Sequence, residues 1–336
     1  TNRVERLQHA DFESMTSAEF ALEIVQLKKE HMRWGPKKIS TVLAKRHPEK
    51  DTPSIVTIQR VLRGVGLMKR SRRRASGGLA FTPTFLVPTA PNDLWTVDFK
   101  GWWRTKDGAK CEPLTVRDAF SRFVISVRLM TRTRSDDVRP VFEELFARYG
   151  LPKAIQSDNG PPFATMHGLG GLTRLSAWWV SIGIRVVRSR PGHPTDNGGH
   201  ERMHNDMRFD LEDASADTLG LQQRACDDWV TTFNHVRPHE GIGQQMPGEL
   251  YRASERRPGR VVIGGYPDGC RLVDVGHSGS INCDGWKVYL SHALSHYAVG
   301  LQAFERGYRV WFFHVLLGTF VPGTHETLQP AVVDET

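Results

Sequence analysis

His200-Glu201-Arg202-Met203-His204 spells H-E-x-x-H. On a helix this spacing puts two imidazoles on one face to bind zinc, with the glutamate as general base of a metalloprotease. The same Glu201 could instead be an acidic ligand for magnesium in a DNA-cutting site. Two other carboxylates bear on that choice. Asp98 lies inside an otherwise apolar strand pattern, Trp95-Thr-Val-Asp-Phe. A charge there needs a cation or a partner, because burying it unpaired is costly. Asp158 ends the strand pattern Lys153–Asp158 and enters Asn159-Gly160-Pro161-Pro162. That turn is expected at the carboxyl edge of the sheet, where open α/β sheets place their sites. Glu201 is expected to begin a helix just after Gly198-Gly199, which allow close backbone approach. Taken singly, Asp98 could be an edge or turn residue and Asp158 a plain Asx turn. As a set they offer hard oxygen ligands from separate elements. Two magnesium ions held that way stabilise the attacking and leaving oxygens of an in-line phosphoryl displacement.

The elements that must position these groups read as a mixed α/β layer. Strand patterns cover Leu94–Trp103, Lys110–Asp118 and Arg122–Met130, with a turn at 118–121. A helix over Ser135–Tyr149 is ended by Gly150, and Arg174–Gly183 is a second helix. Strands Lys153–Asp158 and Ile184–Ser189 alternate with them, and helical periods follow over Gly198–Leu211 and Leu219–Asn234. Trp178 and Trp179 read as core. Ahead of this layer stand three short helices. Phe20, Ile24 and Leu27 line one face of the first, Pro36 opens the second, and Ser54 caps the third, which runs to about Arg63. Ile58, Val61, Leu62 and Val65 form its buried stripe, and Thr57, Gln59, Arg60 and Arg63 fall elsewhere. Such a head is a helix-turn-helix candidate, whose last helix enters the major groove.

The fold class expected is therefore a multidomain α/β chain. Residues 1–70 form a helix-turn-helix DNA-binding domain, 71–92 a basic linker, 93–252 the catalytic core, 253–260 a second linker, and 261–325 a small C-terminal β-barrel. The strand-rich, Gly-punctuated composition after Tyr251 carries the last assignment. The 336 residues suit two or three domains. Residues 1–75 hold 17 Lys/Arg against 8 Asp/Glu, whereas the whole chain is only +8. A basic head on a near-neutral body points to a polyanionic partner. Arg72, Arg73 and Arg74 could lie along phosphates or enter a minor groove. Lys37, Lys38, Ser54, Thr57, Gln59, Arg60 and Arg63 are the other DNA contacts expected of the head. The longest apolar stretch, near Val310–Val321, is too short to span a bilayer. The start of the chain lacks an apolar signal-peptide region, and the four cysteines form no C-x-x-C. A cytosolic protein with free thiols is expected.

"LWTVDFKG", "SDNGPPF", "GHPTDNGGHERMH" and "FNHVRPHEGIGQQMPGELY" together closely resemble the insertion-sequence transposases of the retroviral-integrase superfamily, and most nearly the four-eighty-one insertion-sequence group. The resemblance runs from about Ser17 to Val321 and includes "WGPKKI" of the second helix. It implies an RNase-H-like core with a DDE triad, whose carboxylates fall on Asp98, Asp158 and Glu201. It implies magnesium or manganese, two ions per active site, bound by the same three residues. It implies strand hydrolysis at each transposon end, then attack of the freed 3′-hydroxyl on target DNA, without a covalent protein–DNA intermediate. The partners implied are terminal inverted repeats and target DNA, with a homodimer or larger assembly in the synaptic complex. The location implied is the bacterial cytoplasm, on the nucleoid when DNA is bound. Arg237 and His239 match the family's Asn-x-x-Arg-Pro-His stretch, near DNA or packing the site. One departure stands out: 42 residues separate Asp158 from Glu201, more than the superfamily's usual gap.

The zinc-protease reading of the H-E-x-x-H needs both histidines well inside a helix, whereas His200 follows two glycines, and a third ligand, a role that nothing in the sequence assigns to Glu240 beyond its being acidic. A catalytically silent DNA-binding remnant is a second alternative, against which the presence of all three carboxylates weighs. A general nuclease is a third, which the helix-turn-helix head disfavours.

Overall fold

The computed structural model describes residues 18–68, 86–165, 168–189, 198–259, 265–323 and 328–331. The chain divides into two compact units: Thr1–Thr82 with Thr231–Leu250, and Pro83–Val230 with Tyr251–Thr336.

In the first unit three helices, α1 (Ala18–Glu30), α2 (Pro36–Arg46) and α3 (Ile55–Gly64), enclose one apolar core. The residues spaced for it are the ones buried: Phe20, Ile24 and Leu27, then Ile39, Val42 and Leu43, then Ile58, Val61 and Leu62. Pro36 occupies the first turn of α2. The Ser54 Oγ accepts from the Thr57 N–H at 3.2 Å, a cap of about 1 kcal/mol. Two expectations for α3 need correction. Val65 is only half-buried, because the helix ends just before it. Thr57 is buried, its hydroxyl 3.0 Å from the Ser54 Oγ, so capping turns it inward. Met246 joins this core, which is why Thr231–Leu250 groups with the head rather than with the sheet.

The second unit is built on a six-stranded mixed sheet. Its strands are β1 (Leu94–Phe99), β2 (Trp103–Arg104), β3 (Lys110–Asp118), β4 (Val124–Met130), β5 (Ala154–Ser157) and β6 (Arg185–Arg188). The order is β2-β3-β1-β5-β6, with β4 also on β3. β3 is antiparallel to β1 and β4, and β5 is parallel to β1 and β6. The long first strand expected from sequence is in fact two, β1 and β2. Alternation splits the sheet into two faces. Trp95, Val97, Leu114, Val116 and Ile155 share an apolar cluster with α4 (Ser135–Tyr149) and α5 (Arg174–Ser181). Trp178 and Trp179 are buried in that cluster, and Trp179 meets Phe142 edge-on at 4.8 Å. The alternate positions, Thr96, Asp98, Thr115, Arg117 and Gln156, are polar and share the other face.

Two more helices follow, α6 (Gly198–Met207) and α7 (Leu219–His235), and a short α8 (Pro247–Leu250) lies in the first unit. The C-terminal strands are β7 (Cys270–Asp274), β8 (Ser280–Cys283), β9 (Trp286–Tyr289), β10 (Ala298–Phe304), β11 (Gly307–Phe312), β12 (Val315–Phe320) and β13 (Gln329–Pro330). Among the described residues they form an open antiparallel sheet, β13-β12-β11-β10-β7, and a β8–β9 ribbon. Their apolar cluster takes in Leu172, Ala177 and Val180, the last two on α5. α5 thus contributes to both cores, and the C-terminal strands and the mixed sheet form one compact unit. All four cysteines are free thiols.

Candidate active site

β1 and β5 run parallel with Leu94 opposite Ala154, Trp95 opposite Ile155 and Thr96 opposite Gln156. The same register carried two residues further sets Asp98 opposite Asp158. Residues opposite one another in a parallel pair share a face, and neighbouring strands stand about 4.8 Å apart. Two carboxylates from distant parts of the chain therefore meet at the carboxyl ends of adjacent strands. Asp158 lies just past the end of β5 in a turn tied to β6, where the Asn159 side-chain amide donates to the Ser189 carbonyl at 2.9 Å. The Asp158 side chain reaches solvent, yet the protein wall behind it raises its pKa above 3.8. Desolvation is the larger cause, and the Gly160 N–H donating to the carboxylate pulls the other way. Carboxylates of this kind are hard oxygen donors of the type divalent magnesium or calcium takes.

α6 lies over this polar face and is fastened to it. The Thr115 hydroxyl donates to the Asp98 backbone carbonyl at 2.8 Å. Its only proton is thereby used, so the His204 Nε2–H, 2.9 Å away, is the donor to the Thr115 oxygen. Burial first, and the charges of Lys100 and Arg117 second, push the His204 pKa down to about 4. His204 is therefore neutral and acts as a strut between α6 and β1. His200, one turn earlier, is 1% exposed and its ring lies 5.3 Å from that of His204. Desolvation holds its pKa well below 6.5, reinforced by the charges of Arg117 and His204. The two histidines share a face, as the spacing requires, but that face, with Met203 and Met207, is the one buried. The zinc reading fails on this point, since the Nε2 of His204 is committed to Thr115.

Glu201, next to His200 in sequence, is exposed. Among the described residues, no three His, Cys, Asp or Glu side chains stand close enough to share a metal ion. Asp98 and Asp158 thus stand at the ends of neighbouring strands, and Glu201 is carried by the first turns of α6. Gly198 and Gly199 lie inside the first turn of α6 rather than before it. Close approach is nevertheless the use of Gly199: a Cβ there would sit 2.3 Å from an Arg117 guanidinium nitrogen.

The DNA contacts expected of the head are dispersed. Arg60, Arg63 and Lys37 are exposed, Gln59 and Lys38 half-buried, and Lys37 pairs with Glu240 at 3.2 Å. Ser54 and Thr57 are engaged in the α3 cap. Arg72, Arg73 and Arg74 lie outside the described residues. Arg237 stacks over Phe233 at 5.2 Å, and buried His239 lies 3.3 Å from the Phe233 carbonyl, so this stretch packs the first unit.

The family models that match are both described as the integrase core domain, over residues 88–194 and 182–247. The uncharacterized 39.2 kDa protein of insertion element IS476 from Xanthomonas euvesicatoria is 25% identical over 244 residues, 72% of this chain and 67% of that protein. The 31.7 kDa protein of insertion element IS407 from Burkholderia multivorans is 25% identical over 242 residues, 71% of this chain and 83% of that protein. The chain thus carries an integrase core domain and is similar over some 70% of its length to proteins of insertion elements. Its mixed sheet with α4 and α5 is the integrase core fold. Among solved structures, the HTLV-2 integrase catalytic core in complex with magnesium covers 49% of this chain and 99% of its own length, at 20% identity and a TM-score of 0.39. A simian T-cell lymphotropic virus intasome chain covers 89% of this chain and 99% of its own length, at 15% identity and a TM-score of 0.41.

The residues that sequence reasoning missed are the ones that fasten α6. His204 and Thr115 lie 89 positions apart and meet only because α6 packs on the polar face of β3. The one signal available was His200 and His204 at helical spacing, which zinc binding explained equally well.

Proposed function

We propose that this chain is a DDE transposase that binds transposon ends, hydrolyses a DNA strand there and joins the freed 3′-hydroxyl to target DNA. The observation that supports this reading is the β1–β5 register, which, continued two residues beyond Thr96 and Gln156, would set Asp98 beside Asp158 on the polar sheet face. Those two residues and Glu201 would hold two magnesium or manganese ions. When bound, such ions stabilise charge on the attacking and leaving oxygens of an in-line displacement. Asp98 and Asp158 supply anionic oxygen from a rigid sheet edge. The His204–Thr115 link holds α6 against the backbone of Asp98 itself, so the helix bearing Glu201 is seated on the strand bearing the first carboxylate. The Glu201 side chain is exposed, makes no hydrogen bond to a described residue and is available to join the pair. Arg60 and Arg63, exposed on α3, together with Lys37, Lys38, Gln59 and the Arg72–Arg74 run, serve end binding in a helix-turn-helix head. Two ends must be processed together, so the active form is a homodimer or larger assembly on DNA.

The test is incubation of the full chain with a labelled terminal-repeat duplex, a plasmid and magnesium. Joined duplex–plasmid products are expected. Cleavage without joining would reduce the chain to a nuclease, and binding without either would make it a silent binder; both outcomes overturn the proposal.

A further inference from the structure

Three arginines stand on elements that come together at the end of β3: Arg117 on the strand, against which Gly199 of α6 packs, Arg122 in the turn to β4, and Arg202 one turn along α6 from Gly199. Their charges act on one another, since Arg117 feels both Arg122 and Arg202, and Arg122 feels Arg202. Among the described residues none of the three side chains makes a hydrogen bond or a salt bridge to protein. The Arg117 Nε is sealed from solvent with no partner. One carboxylate, Asp118, is close enough to act on Arg117, and it is otherwise committed. It accepts from the Asn92 N–H at 2.7 Å, the Ser121 N–H at 2.7 Å and the Ser121 hydroxyl at 2.6 Å. Gly199 leaves α6 without a side chain where the Arg117 guanidinium lies. Clustered like charges with unfilled donors are unfavourable in a partly desolvated place unless an anion completes them.

We propose that Arg117, Arg122 and Arg202 form a site for a phosphodiester of the bound DNA strand. Arg117 is opposite Thr96 on β1, so it shares the face of Asp98 and lies two residues, about 7 Å, before it. A phosphate held there belongs to the same DNA segment as the one at the carboxylates. Guanidinium forks match phosphate oxygens in pairs, and three of them on one phosphate fix its direction as well as its charge. The site positions DNA for the transposase reaction and rests on that reading for its choice of ligand.

The experiment uses the full chain and the variants Arg122→Gln, Arg202→Gln and the double substitution. Binding to the end duplex is followed by fluorescence anisotropy from low to moderate salt, and melting with and without the duplex. Each substitution is expected to weaken binding severalfold and to lower the slope of log affinity against log salt by about 0.9 per lost phosphate contact. Melting without DNA should be unchanged or higher, because repulsion is relieved. Parental affinity and slope in the double variant would overturn the proposal. So would a lower melting temperature with DNA binding intact, which marks a structural role. Stabilisation by inorganic phosphate without any change in DNA affinity would mean an isolated anion pocket, and a change confined to self-association would mean a subunit contact; either result refutes it. If the parent joined no DNA ends but the variants still lost affinity and slope, the transposase reading would fail and the phosphate site would stand.

Discussion

His204 makes the seating of α6 measurable through pH. Its folded pKa is about 4, against 6.5 for an ordinary histidine, because it is buried and faces Lys100 and Arg117. Between those values the unfolded chain binds a proton that the folded chain does not. Stability therefore falls as pH drops from 6.5 toward 4. With those two pKa values, the loss between pH 7 and pH 5 is about 2 kcal/mol. His204→Gln removes the titration and keeps an amide N–H that can donate to Thr115. Its neighbour His200 titrates in both proteins and cancels in the comparison. Urea unfolding of parent and variant at pH 7, 6 and 5 should show the parent losing about 2 kcal/mol more than the variant. The variant should be slightly less stable at pH 7 and relatively more stable at pH 5. Equal pH dependence in the two proteins would mean that His204 titrates freely, and that it is not the buried strut between α6 and β1.

Gly150 ends α4 at φ 77°, ψ 179°, and a Cβ there would lie 2.3 Å from the Ser254 carbonyl oxygen. Gly150→Ala should therefore cost about 3 kcal/mol or more, read as a lower unfolding midpoint; a neutral effect would contradict the packing of 254–257 on the helix end. Arg60→Gln or Arg63→Gln should weaken end binding, by about 1–3 kcal/mol if the lost contact is to a base edge. Unchanged affinity at moderate salt for both would remove α3 as the reading helix. End cleavage should require magnesium or manganese after chelation, and activity restored by zinc alone would return the H-E-x-x-H to contention.

Much of this architecture is legible in the sequence because it is local. Ser54 announces the start of α3 by its own chemistry, Gly150 stops α4, and the alternation around Asp98 already places that carboxylate on the polar face. What periodicity does not carry is which strand lies beside which. The pairing of Asp98 with Asp158 depends on β1 and β5 being parallel neighbours in one register. Thr57 has a helical position that reads as exposed, yet the Ser54 cap draws it inward. Met246 carries no mark that it belongs with helices some two hundred residues earlier. The apolar side of α5 is long enough for two cores, but only the fold shows that the C-terminal strands use the second. The H-E-x-x-H misleads for a related reason: helical spacing says that His200 and His204 share a face, not whether that face meets a metal or a strand.

The central claim is that Asp98, Asp158 and Glu201 act as one metal-binding set. It is tested most directly by strand transfer with Asp98→Asn, Asp158→Asn and Glu201→Gln in magnesium, with end binding measured on the same preparations. Each variant should lose cleavage and joining while binding the end duplex nearly as the parent does. Joining that survives in the Glu201→Gln protein would contradict it, and would leave Asp98 and Asp158 as the only carboxylates of the set.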